Sequence, residues 1–145
     1  MLRVRLQEVS PIGVIAPLKL VGFLLPENAI QVVRGGTLTL HVLVYEETDP
    51  DALVDITLAT LHFTVKEGIS EKHPPRIYKV STDPMQIDVH KPRHGEAKVM
   101  IASADTKTLE PRSHVYDLWL FLGGGRYPLI SQGVFEVLPN IAVLP

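Results

Sequence analysis

The sequence predicts an all-β fold, an antiparallel β-sandwich of seven to eight strands with an extended N-terminal arm. Twelve prolines and ten glycines are spread along the chain. They divide it into segments of about 5–10 residues, which is the usual length of a strand. Several of these segments alternate apolar and polar side chains, as strands with one buried face do. No long window has the period of an amphipathic helix, so the crossover helices of a parallel sheet are missing.

The clearest alternation lies in residues 37–45, 60–67 and 113–122. Each of these segments has one continuous apolar face, and we expect the three faces to meet in the core. The glycines at positions 123–125 predict a tight turn, after which residues 127–138 return as the partner strand. The side chains that we expect to point inward are Leu38, Leu40, Val42, Val44, Leu61, Phe63, Val65, Tyr116, Leu118, Leu120 and Leu122.

The pattern divides the chain into an apolar N-terminal arm (residues 1–28), the sandwich (residues 29–139) and a C-terminal tail (residues 140–145). The arm begins with a short alternating segment, which predicts a half-buried strand, and continues as an apolar stretch interrupted by prolines. No run reaches the roughly 18 uninterrupted apolar residues of a transmembrane helix. So much apolar surface is expected to cover either its own sandwich or, as the preferred alternative, a neighbouring subunit. The arm residues expected at such an interface are Leu2, Val4, Leu6, Ile12, Ile15, Leu18, Leu20, Phe23 and Leu24.

A second candidate interface lies on the outward face of residues 113–122. Val115, Trp119 and Phe121 alternate with the inward set, so both faces of this strand are apolar. An exposed pair of large aromatic side chains is typical of an interface anchor. Alternatively, the arm covers this face, or the single helical turn that we expect after Ser103 does so.

The composition excludes several kinds of chemistry. The net charge is −2 and no basic stripe is present, so we expect no nucleic-acid partner. Cysteine is absent, which excludes disulfides, thiolate zinc sites and a cysteine nucleophile. No serine lies in a nucleophile-elbow motif, and we expect neither an enzyme nor a bound cofactor.

The six histidines show no ligand spacing, and we expect them to be solvated rather than metal-bound. His41 and His62 are expected on the outward faces of neighbouring strands. The six are His41, His62, His73, His90, His94 and His114.

Seven short stretches carry a further pattern of strand and turn residues: 34–40 (RGGTLTL), 54–57 (VDIT), 59–66 (ATLHFTVK), 95–99 (GEAKV), 103–106 (SADT), 116–118 (YDL) and 133–137 (GVFEV). Together they resemble the immunoglobulin-like domain found at the N-terminus of phage baseplate upper proteins and as a free-standing domain in many phages. The resemblance covers about residues 29–139. It implies an immunoglobulin-like sandwich and carries no catalytic motif.

What the resemblance implies is a non-enzymatic virion structural protein, made in the host cytoplasm. Such a protein assembles in multiple copies on the tail or baseplate, or decorates the capsid. Its partners are other virion proteins and copies of itself, with no membrane partner. The alternative is a module that binds glycans or proteins of the host surface. That function needs an exposed aromatic groove or long loops. Residues 46–53 and 68–76 are the candidate loops.

Overall fold

The computed structural model of the chain, which describes residues 2–9, 15–17, 28–70 and 72–140, is a sandwich of two β-sheets packed against each other. The prediction of an all-β sandwich is therefore confirmed. The described residues form eleven strands rather than seven to eight. The strand at residues 2–9 is the half-buried strand predicted at the beginning of the arm, whereas the strands at residues 15–17 and 49–53 were not predicted.

In chain order the strands are β1 (Leu2–Val9), β2 (Ile15–Pro17), β3 (Ile30–Val33), β4 (Leu38–Glu46), β5 (Asp49–Leu53), β6 (Thr60–Lys66), β7 (Ile77–Val80), β8 (Ile87–Lys91), β9 (Glu96–Ile101), β10 (Ser113–Leu122) and β11 (Gly125–Leu138). The first sheet has the hydrogen-bonded order β2-β1-β4-β9-β8, with β5 also paired to β4. The second sheet has the order β3-β11-β10-β6-β7. Among the described strands, the pairing of β3 with β11 is parallel and the other pairings are antiparallel.

Helical structure is limited to two short segments of the described residues. One is a 3₁₀ turn, Pro92–His94, between β8 and β9, and the other is the helix α1, Ser103–Lys107. The helical turn predicted after Ser103 is therefore present, although Ala102 and not Ser103 is the N-cap residue. Neither segment has the length and apolar character that a membrane-spanning helix requires.

The core lies between the two sheets and is built from the predicted inward faces. Every residue of the predicted inward set is buried except Leu122, which is partly buried against the same core. Three aromatic rings pack at its centre. The ring centroid of Phe63 lies 5.4 Å from that of Tyr116 and 6.4 Å from that of Phe135, which is the usual range for aromatic pairs.

Strand β1 is part of the first sheet. It pairs with β4 over all eight of its residues, and β2 folds back on its second half. Because Val4 and Leu6 point inward, they are only 9% and 6% exposed and join the core of their own chain. Their burial contributes roughly 3–6 kcal/mol before ordering costs. Residues 2–9 thus pack within the chain, whereas residues 10–14 and 18–27 of the predicted arm lie outside the described residues.

Strand β5 forms within residues 46–53, where a loop was expected, because it makes a local hairpin with the end of β4. Leu53 pairs with Tyr45, and Asp49 pairs with Glu46 across an irregular register. Aspartate and proline disfavour central strands but are tolerated in a strand that is paired on one side only. Hydrophobic alternation therefore gives no signal for β5.

Gly95 lies in a tightly packed turn between β8 and β9. Its φ is +69°, and a Cβ there would lie 2.6 Å from the Val44 carbonyl oxygen and 2.8 Å from that of Val54. Replacement by alanine adds this overlap to the cost of a left-handed backbone, so we expect Gly95→Ala to lower the free energy of unfolding by about 3 kcal/mol or more.

The matched control is Gly123→Ala. Gly123 has a similar φ of +59°, but no heavy atom lies within 4 Å of the added Cβ. The control should therefore lose only the free energy that a left-handed backbone costs an alanine, about 1–2 kcal/mol. Urea unfolding of both variants measures the difference, and equal losses would contradict the packing described for Gly95.

Candidate functional site

An exposed group of aromatic side chains lies on the outward face of the second sheet. Because Leu118 and Leu120 point inward, Trp119 and Phe121 of β10 point outward. The register places His62 of β6 opposite Trp119. We call the surface formed by His62, Tyr78, Trp119 and Phe121, with Arg126 at its margin, the aromatic face.

The rings of the aromatic face contact one another. The centroid of Phe121 lies 4.5 Å from that of His62 and 6.4 Å from that of Trp119. The His62 Nδ1 lies 2.6 Å from the Tyr78 hydroxyl oxygen, and the Arg126 guanidinium carbon lies 5.8 Å above the Phe121 ring. Phe121 remains 36% exposed and Tyr78 remains 49% exposed. These contacts pre-organise an apolar surface with one cation beside it.

Partial burial lowers the pKa of His62 below its ordinary value of 6.5, because an apolar environment disfavours the charged imidazolium. The imidazole on the aromatic face is therefore neutral at pH 7. Arg126 then carries the only formal charge among the five side chains of this surface at that pH.

The structure places the predicted interface residues in different parts of the fold. Trp119 and Phe121 come together on the aromatic face, whereas Val115 lies further along the same outward face of β10 and lines a neighbouring groove with Lys66 and Asp117. Leu2 packs partly against the core, to which Val4 and Leu6 belong. Ile15 lies in β2. The side chain of Ile15 and the remaining predictions fall outside the described residues, namely Ile12, Leu18, Leu20, Phe23, Leu24 and the tail from 141 to 145.

A second cluster of functional side chains lies on the outward face of the first sheet. His41 of β4, His90 of β8 and Glu96 of β9 each offer a nitrogen or oxygen atom, and these three atoms all lie within 4.8 Å of one another. The Nε2 of His41 is 2.8 Å from the Glu96 Oε1. The two imidazole centroids are 5.8 Å apart.

The prediction that the histidines are solvated is wrong for two of them. His41 is 3% exposed and His114 is 2% exposed, and His114 Nε2 donates a hydrogen bond to the Glu110 carbonyl oxygen. The prediction that His41 and His62 lie on neighbouring strands is also wrong, because β4 and β6 belong to different sheets. Sequence analysis missed the cluster, since its members come from three strands whose register the alternation does not determine.

The pKa of His62 gives a direct test of the aromatic face. Its folded pKa lies below the unfolded value, so the unfolded chain binds the proton first as the pH falls. The His62 contribution to stability is therefore complete above pH 6.5 and declines as the pH falls below that value. We expect an imidazole NMR titration to give a His62 pKa below 6.5.

We also expect His62→Gln to lose less thermal stability than the wild type when the pH is lowered from 7 to 5. Glutamine does not titrate but keeps polar atoms near the Tyr78 hydroxyl. An ordinary or raised His62 pKa, or an unchanged pH dependence in the variant, would contradict the burial described for this imidazole.

Comparison with protein-family models and with curated proteins gave no match. Two features of the described residues are candidates for function. One is the aromatic face, which is exposed and presents large rings on a rigid sheet. The other is the cluster of His41, His90 and Glu96, which combines burial with metal-ligand side chains.

Proposed function

We propose that this chain is a non-enzymatic structural protein of a phage virion that assembles in multiple copies on the tail or baseplate or as a capsid decoration. The aromatic face is the observation that carries the proposal. It serves as the contact surface toward a second copy of the chain. Large aromatic side chains and arginine are enriched in the cores of protein interfaces, and lysine and acidic residues are depleted there.

The composition of the aromatic face fits a protein partner. Trp119 and Phe121 are the central rings, and such residues supply most of the binding energy in many interfaces. His62 is neutral at pH 7, so its burial against a partner needs no counter-charge. Arg126 lies at the margin of the surface over the Phe121 ring, where a charged group keeps contact with water.

The strand order supports the immunoglobulin-like part of the proposal. In the nomenclature of immunoglobulin domains, β1, β4, β9 and β8 follow the order A-B-E-D. Strands β11, β10, β6 and β7 follow the order G-F-C-C′, which is part of the G-F-C-C′-C″ order of the variable type. The resemblance to a phage domain family thus agrees with the way in which the described strands are paired.

The virion assignment is tested by locating the protein. Antibodies against the purified chain should label phage particles at one defined position in negative-stain electron microscopy, and mass spectrometry of purified particles should detect it in multiple copies. Recovery of the protein only in the particle-free fraction would contradict a structural role in the virion.

The contact surface is tested by Trp119→Ala and Phe121→Ala. Because each change removes a ring from the centre of the proposed interface, we expect self-association to weaken about tenfold or more by sedimentation velocity. Met85→Ala is the matched control, since Met85 is 81% exposed and lies between β7 and β8. A wild-type chain that stays monomeric, or self-association that both ring variants retain in full, would contradict the interface.

Binding of a host-surface glycan is the second candidate function, because the side chains of the aromatic face line a groove. His62, Tyr78, Trp119 and Phe121 line it together with Thr64 and Arg126. Aromatic rings with polar groups beside them provide both an apolar platform and hydrogen-bond partners. Glycan-array binding by the wild-type monomer that is lost in Trp119→Ala would favour this function. If the array shows no reproducible binding, glycan binding is excluded for the glycans that the array presents.

A further inference from the structure

We propose that His41, His90 and Glu96 form a binding site for a divalent transition-metal ion of the Zn²⁺ class on the outward face of the first sheet. Two imidazoles and one carboxylate supply three protein ligands, which is a ligand number that zinc accepts with a fourth position left for water or another group. The site lies on the opposite sheet from the aromatic face, so this inference is independent of the proposed function.

Three adjacent strands bring the ligands together. His41 and Glu96 are diagonal neighbours on β4 and β9, since His41 lies opposite Lys98 and Leu43 lies opposite Glu96. Diagonal neighbours on one face of a sheet are within reach of long side chains. The contact between His41 Nε2 and Glu96 Oε1 follows directly from this register.

A β-bulge brings His90 to the other two. Asp88 of β8 lies opposite Lys98 of β9, but Lys91 lies opposite Glu96, so β8 spans the same interval with one additional residue. His90 lies inside this interval. Bulges near functional sites change the direction of a side chain, and here the His90 ring approaches the His41 ring even though β9 lies between their strands.

Unpartnered nitrogen atoms are the second observation that points to a ligand. The Nδ1 atoms of His41 and His90 are both buried and have no hydrogen-bond partner among the described residues. A buried polar atom without a partner costs roughly 1–3 kcal/mol, and such atoms are uncommon in folded proteins. His114 has a third such Nδ1 outside this cluster, so it is the position of the His90 Nδ1 beside His41 and Glu96 that points to a ligand. His41 presents its Nε2 to the Glu96 carboxylate, and the three side chains together form a donor set that a metal ion would use.

The ligand chemistry selects the class of metal. Imidazole nitrogen suits zinc and its neighbours among the transition metals, whereas calcium and magnesium prefer shells made of oxygen. Zinc lies about 2.0–2.2 Å from nitrogen and carboxylate ligands, so adjacent ligand atoms of a tetrahedral site lie about 3.4 Å apart. The 2.8 Å between His41 Nε2 and Glu96 Oε1 is shorter than this value. The 4.8 Å within which all three ligand atoms lie is longer than it. Small side-chain rotations are therefore sufficient.

The positive charge of Lys91 does not block the site. Lys91 Nζ lies 3.8 Å from the Glu96 Oε2, and its side chain is 59% exposed. A contact of this length at an exposed position contributes little, and the lysine side chain has room to move into water. Lys91 therefore serves as a control position beside the ligands.

Zinc chloride binding to the tag-free full-length protein tests the proposal. Isothermal titration calorimetry should show one site per chain, and cobalt chloride should give the visible absorption bands of a low-coordinate site. A metal that binds only the folded chain also raises its melting temperature, by about 5–10 °C at a concentration 100 times the Kd. His90→Ala and Glu96→Gln should each weaken binding at least about 100-fold and remove the cobalt bands.

Two variants provide the controls. His94→Ala removes an exposed histidine next to the site, and Lys91→Ala removes the neighbouring cation, so both should bind zinc like the wild type. The melting temperature in the presence of a chelator shows that each ligand variant is folded. The proposal is overturned if the wild type binds no zinc or cobalt. It is also overturned if folded His90→Ala and Glu96→Gln bind as tightly as the wild type, or if His94→Ala loses binding as they do.

Discussion

The packing of Tyr116 between the two sheets is the constraint on which the sandwich depends. Its ring contacts Phe63 in the core, and its hydroxyl donates a hydrogen bond to the Asn28 carbonyl oxygen, two residues before β3 begins. Burial raises the pKa of this phenol, so it remains a donor at all ordinary pH values. Gly133 lies directly opposite on β11, and a Cβ at that position would overlap the ring. One side chain thus holds the centre of β10, the beginning of β3 and the middle of β11 in a single arrangement.

The outward faces of the two sheets differ because the strands in them are paired differently. On the second sheet, the regular pairing of β6 with β10 places large rings side by side, which yields a broad, shallow and apolar surface. On the first sheet, the interrupted pairing of β8 with β9 yields a compact polar cluster. The same principle of alternation therefore produces an exposed aromatic surface on one sheet and a cluster of metal-ligand side chains on the other.

Alternation predicts the core well because burial on a strand depends on local sequence. The inward residues of β4, β6 and β10 follow from a period of two, and so does the outward position of Trp119 and Phe121. The burial of His41 does not follow, since it depends on contacts with Glu96 and His90 across two strand pairings. The pairing of β1 with β4 is likewise a long-range choice, which local pattern cannot distinguish from packing on a neighbour. The additional residue in β8 has no signal in hydrophobicity.

That additional residue also affects how copies of the chain can meet. Strand β8 is the terminal strand of the first sheet in the described residues, and an exposed terminal strand with regular backbone spacing is a template on which another chain can polymerise. The bulge interrupts that spacing near His90 and increases the local twist. Growth of an open fibril by edge-to-edge addition at β8 is therefore disfavoured.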